Sequence, residues 1–218
     1  SSSTNQNPQV NYTAPGQYDV TLSVSDPFGN TVSQTFPDYI TVLGAPGKAL
    51  PIQEGFESVS IPNSDWFVEN PGGPGFQITN QAGATGSKSL KLDNSTGSNL
   101  DKDAFISSTI DLENITSATL TFKYAFAKKT NNNSDFLQIF ASNSCGDTWA
   151  VRKSISSSQL ATMNNTTANY NPGPNDWESV TISNFTSTYQ VDNLRIKFQF
   201  TNGGFDFSRY TSTTKNNG

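Results

Sequence analysis

Few residues of this 218-residue chain can do chemistry, and their types decide which chemistry is open to it. Three tryptophans, Trp66, Trp149 and Trp177, each offer an aromatic face on which the apolar face of a pyranose can stack, and together they are candidates for a sugar-binding platform. Each also abuts an apolar run (Trp66-Phe67-Val68, Trp149-Ala150-Val151, and Trp177 just before Val180), and large aromatics in thin sandwiches pack as core. Both readings stand at this point. The 18 Asp and Glu supply any number of carboxylate pairs for glycoside hydrolysis, but no spacing singles out two that would flank a scissile bond. There is no His. That excludes Ser–His and Cys–His nucleophiles and the H-E-x-x-H zinc site of a zincin peptidase. The lone Cys145 excludes an intrachain disulfide and a thiolate zinc site. With no imidazole to activate it, it is expected to be an unreactive, buried or half-buried thiol. Lys123, Lys128, Lys129, Arg152 and Lys153 are too sparse for a phosphate-binding stripe and are expected to solvate strand ends.

The elements that must hold these residues are strands. Only 33% of the chain is hydrophobic and 14% charged, while 28 Ser, 25 Thr and 24 Asn make up about a third of it. Fifteen Phe and seven Tyr are too many aromatics for a disordered chain. Thin β-layers with polar outer faces and long polar loops satisfy both facts. A net charge of −5 opposes nucleic acid and anionic membrane as partners. No run approaches the ~20 apolar residues of a membrane-spanning helix. No signal peptide opens the chain and Ser1 is not an initiator Met, so it reads as a mature product or an excised fragment. Its polarity suggests an extracellular protein, and the shortage of disulfides a bacterial one.

Tyr18, Val20, Leu22 and Val24 alternate with polar residues in a half-buried strand, and Asp26-Pro27-Phe28-Gly29-Asn30 supplies a turn. A second strand is expected from Thr31 to Val42, with Pro37 at a bulge or an edge, and a short one at Val10–Tyr12. The stretch Pro8-x-Val10-x-Tyr12 followed by Pro15-Gly16-x-Tyr18-x-Val20-x-Leu22 resembles the second half of a PKD domain, an immunoglobulin-like sandwich. Because three strands cannot close a sandwich, their apolar face needs either residues preceding Ser1 or the next domain as a neighbour. Two Gly and two Pro within Leu43–Pro51 then mark a linker.

Beyond it, strand patterns are expected at 52–57, 65–69, 76–79, 89–93, 104–107, 118–127, 136–142, 150–155, 177–182 and 194–201, with one or two helical turns at 156–163 and a long loop at 163–175. Gly55-Phe56-Glu57, Pro62-x-x-Asp65-Trp66, Gly86-Ser87-Lys88-Ser89-Leu90, Asp103-x-Phe105-Ile106-Ser107 and Ser144-Cys145-Gly146-Asp147-Thr148-Trp149 follow one another in the order of MAM-like or carbohydrate-binding-type jelly rolls. This succession resembles modules that alternate with PKD repeats in secreted Bacteroidota metallopeptidases of the cytophagalysin group and in related surface proteins. Where that family's final strand should follow Gly203-Gly204, the chain reads Phe205-Asp206-Phe207, so the last strand is missing or divergent. The resemblance implies a structural calcium held by Glu57, Asp93, Asp101 and Asp103; the alternative is that these acids are solvated turn residues.

The expectation is thus an all-β chain: the C-terminal half of a PKD-like sandwich (1–43), a linker (44–51) and a jelly-roll β-sandwich (52–218). Its function would be non-catalytic and without an organic cofactor: it would space or present a neighbouring domain of the same polypeptide and bind an extracellular glycan or protein through loops at one end of the sandwich. The alternatives are the accessory region of a secreted zinc metallopeptidase whose catalytic domain lies upstream, and a stalk with no ligand.

Overall fold

The computed structural model describes residues 2–69, 75–94, 100–129, 134–163, 165–166 and 169–203. The chain is almost entirely β. Two long strands, β1 (Gly16–Ser25) and β2 (Thr31–Val42), form an antiparallel hairpin closed by Asp26, whose carboxylate accepts the Phe28 and Asn30 N–H groups and the Asn30 side chain. The register slips between Tyr18 and Val20, opposite Pro37. There Asp38 adopts a positive φ of 51° and its N–H reaches Asp19, so the expected bulge is present. One face of the ribbon carries a ladder of hydroxyl pairs, Thr21–Thr35, Ser23–Ser33 and Ser25–Thr31, at 2.7–2.9 Å.

The other face carries Leu22, Val24, Val32 and Phe36, which are 59%, 62%, 76% and 43% exposed. Of the two neighbours expected for this face, the next domain does not cover these four side chains among the described residues. Val10–Tyr12 is not a strand either. Tyr12 instead lies against the Tyr18 ring at 4.5 Å, an aromatic contact that takes the place of ladder pairing.

The sandwich is built on a five-stranded antiparallel sheet in the order β3 (Trp66–Glu69), β6 (Lys102–Ser107), β11 (Arg195–Thr201), β8 (Phe136–Ser142), β9 (Ala150–Ser156). Two two-stranded ladders, β4–β5 (Phe76–Thr79, Ser89–Leu92) and β7–β10 (Leu120–Tyr124, Glu178–Ile182), supply the apolar residues packed against its inner face. The strict alternation of Leu120, Phe122, Tyr124 and of Ile196, Phe198, Phe200 is what lets each strand present one face to the core. Phe122 meets Phe198 edge-on at 5.1 Å, and Ile139 at the centre is 0% exposed.

A smaller cluster of Phe67, Ala104 and Ile106 lies on the opposite face of the sheet, with Leu43 and Trp149 against it. Lys197 stands 4.5 Å from the centroid of Trp149 and 5.3 Å from that of Phe140, and Arg195 lies over both Phe67 and Trp149. Burial in this aromatic layer holds both cations below their usual pKa.

Residues 52–57 form no strand. Glu54 accepts the Phe56 N–H at 2.6 Å and Phe56 takes a positive φ of 62°, so local carboxylate capping bends the chain out of any ladder. β7 ends at Tyr124 rather than Ala127 because both backbone groups of Phe126 bond to Thr162 instead of a neighbouring strand. The expected helical turn is α1, Ser157–Leu160. The expected loop at 163–175 has neither strand nor helix among its described residues, whereas the divergent final segment at 205–210 lies outside the described residues.

The segment between hairpin and sandwich is docked. Lys48 pairs with Ile110 in a parallel bridge, the Lys48 N–H donates to Thr109 and the Gly47 N–H to Asp192. A Cβ on Gly47 would stand 2.6 Å from the Ile110 backbone, a close approach that only glycine permits. Thr109 Oγ1 completes the seam by donating to the Gly44 carbonyl at 2.6 Å.

Candidate functional site

The root of the hairpin and one end of the sandwich enclose a cleft of about 330 Å³, within the range of small-ligand sites. Trp66 is its aromatic wall. The side chain of Asn63 accepts the N–H groups of Asp65 and Trp66 at 2.7 and 2.8 Å, while the Asn63 N–H donates to the Trp66 carbonyl. This turn sets the first residue of β3. The indole stacks on Phe105 at 4.5 Å with 14° between planes, and its Nε1–H donates to Glu54 at 3.2 Å. Glu54 therefore bends the 52–57 segment and fixes the indole at once.

Across the cleft Lys48 pairs with Asp65 at 2.7 Å, both side chains being about half exposed. A pair so wetted contributes little to stability. It leaves a cation, an anion and the cleft-lining Ser108 and Thr109 beside an aromatic ring held by one stack and one hydrogen bond. Such a surface offers hydrogen-bond donors and acceptors together with an apolar plane.

The three tryptophans do not share a platform. Trp66 belongs to the inner face of the sheet at the cleft, and Trp149 packs with Phe67 and Ile106 on the outer face. Trp177 precedes β10 in the other layer, half-buried, with no partner for its Nε1 among the described residues.

The acids are also dispersed. Glu57 spends both oxygens on the Ser87 and Lys88 N–H groups and the Ser87 hydroxyl, which hold its carboxyl below the usual range. Asp93 is exposed at the end of β5. Asp103 is buried, and loss of hydration, with Asp101 beside it, lifts its carboxyl above the usual range. Among the described residues no three Cys, Asp or Glu side chains converge. Asp101 lies close enough to Asp103 to repel its charged form.

Cys145 corrects a further expectation. It is exposed, at a φ of 56° in the tight turn before β9, because Ser142 Oγ captures the Ser144 and Gly146 N–H groups and turns the thiol outward from the sheet end. Lys48, Glu54 and Asn63 were not singled out by sequence reasoning. Only the Asn-x-Asp turn spacing before Trp66 could have pointed to one of them, since Lys48 and Glu54 reach the cleft through tertiary contacts.

No protein-family model matches the chain, and no curated protein matches it. Among solved structures, the chain is similar to the K1 cleaved adhesin domain of Lys-gingipain from Porphyromonas gingivalis W83, at 18% identity and a TM-score of 0.43, over 70% of this chain and 86% of that one. It is also similar to a structure described as the basis for the promiscuous specificity of carbohydrate-binding modules from the β-sandwich superfamily, at 16% identity and a TM-score of 0.39, over 88% of this chain and 70% of that one. Together these elements make an all-β protein with a sandwich body, a long hairpin and a cleft at their junction. No helix among the described residues is long and apolar enough to cross a membrane.

Proposed function

We propose that this chain is a non-catalytic binding module of an exported protein, and that it engages glycan at the cleft beside Trp66. One observation carries the reading: an indole held by Phe105 and Glu54 forms the wall of a cleft whose lining sets the hydrogen-bonding Lys48, Asp65, Ser108 and Thr109 beside the apolar Pro15, Pro46, Ile52 and Ile110. A ring already held in place loses no rotamer freedom when a ligand stacks on it, so its contact energy goes into affinity. The long hairpin fits the accompanying role of spacing neighbouring parts of a longer polypeptide, and its sequence resembles half a PKD-like unit. In the narrower reading the chain is the accessory region of a secreted metallopeptidase; any His zinc ligands of that enzyme then lie outside this sequence.

The test is a titration of the folded chain with a panel of soluble oligosaccharides, followed by tryptophan fluorescence and calorimetry. Saturable binding with a fluorescence change that disappears in Trp66→Phe is expected. Flat titrations across neutral and acidic glycans would overturn the glycan reading and leave the spacing role alone.

A further inference from the structure

A second cavity, of about 500 Å³, lies at the other end of the five-stranded sheet's edge pair, where β8 and β9 meet α1. Register explains its lining. Phe136 pairs with Ser156 and Gln138 with Ser154, so the two serines and the half-buried Phe136 ring share a strip, to which α1 adds Ser157 and Ser158. Ser134 and Lys128 complete the rim. Beneath lie two buried polar groups. Asp135 is 1% exposed and accepts the Gly203 N–H at 2.9 Å, and burial raises its carboxyl above the usual range. Ser157 is 7% exposed and its hydroxyl has no partner among the described residues.

We propose that this cavity is a second carbohydrate site, taking one neutral sugar residue. It rests on the glycan-binding reading for its ligand class but shares no residue with the Trp66 cleft. Serine hydroxyls both donate and accept, which matches the groups around a pyranose, and no cluster of like charge is present to select an anion. Phe136 supplies the apolar face against which the sugar's C–H groups lie. A buried hydroxyl without a partner is a rare feature in native interiors, and Ser157 brings one to the lining of this cavity. The volume lies within the usual range for small-ligand sites.

The experiment is a ¹⁵N–¹H NMR titration with the methyl glycosides of glucose, galactose and mannose, and with glucuronate, on the full chain and on three variants. Ser154→Trp and Ser158→Tyr change exposed residues and fill the cavity; Trp66→Phe alters the other cleft. Saturable shifts at residues 134–136 and 154–158 from at least one neutral glycoside, retained in Trp66→Phe and weakened at least tenfold in either filling variant, are expected. Shifts confined to residues 48, 65 and 66 and lost only in Trp66→Phe would overturn this site and leave the first reading standing. Response to glucuronate alone overturns the neutral-sugar assignment, and no response from any probe or oligosaccharide overturns both.

Discussion

Glu54 holds Trp66 by its indole N–H at 3.2 Å while its other oxygen caps Phe56 at 2.6 Å, so one carboxylate shapes a loop and orients a ring. Replacing Glu54 with Ala leaves both donors to find water. The loss is about 1–2 kcal/mol, typical of hydrogen bonds to a charged group that is partly wetted. Thermal melts should then show a fall of roughly 2–8 °C for a chain of this size. Glycan affinity at the cleft should fall further than in a control variant of equal stability loss elsewhere in the sandwich.

Gly47 tests whether the junction is docked. With Ala, the new Cβ meets the Ile110 backbone at 2.6 Å, and backbone cannot step aside as a flexible side chain would. Overpacking of this kind costs about 1–3 kcal/mol. Limited proteolysis should accordingly cut Gly47→Ala faster between residues 44 and 51 than the parent chain. Equal cleavage rates would mean that the segment is already undocked in solution.

Asp135 gives a pH dependence of definite sign. Its carboxyl titrates above the unfolded value of 3.8 because burial disfavours the charged form. The folded state thus binds more protons, and the associated stability is fully present below about pH 3.8 and is lost as pH rises through the elevated folded value. Asp135→Asn keeps an oxygen for Gly203 and removes the buried charge. Its melting temperature at pH 7 should match or exceed the parent's, and its profile between pH 4 and 7 should be flatter. A variant with a lower melting temperature at pH 7 would refute the burial account.

Asp103 and Asp101 offer the remaining test of calcium. Without a cation, Asp103→Asn relieves burial and like-charge repulsion and should raise the melting temperature at pH 7. If a divalent ion sits there, calcium should raise the melting temperature of the parent and have no effect on the variant. An unchanged parent melt in calcium against chelator would remove the ion from the description of this protein.

Cys145, exposed in its turn, should react with a thiol reagent in the native state at a stoichiometry of about one and at a rate near that of the unfolded chain. Protection of more than about tenfold would restore the buried thiol that composition alone suggested.

Much of the fold was legible before any coordinates. Alternation located β1, β7 and β11 because a strand with one wet face writes its period directly into residue type. The Asp26 turn and the Pro37 bulge followed from the geometry those residues impose. Expected strands failed at 10–12 and 52–57, where a ring contact and a carboxylate cap won over local pattern. Site residues were less legible. Trp66 was named, but as one of three, and Asp135 and Ser157 carry no local signature at all.

Side-chain chemistry by itself determined what this chain lacks, since no arrangement of strands can supply an imidazole or a second thiol. It also determined that the chain is β, because two-residue periodicity acts over neighbours a few ångströms apart. Which residues became surface was decided only by the tertiary structure. Docking of Lys48 onto Ile110 made a cleft beside one tryptophan, and pairing of β8 with β9 gathered serines around a buried carboxylate. Those juxtapositions depend on contacts between residues distant in the chain, and local sequence carries no record of the partner it will meet.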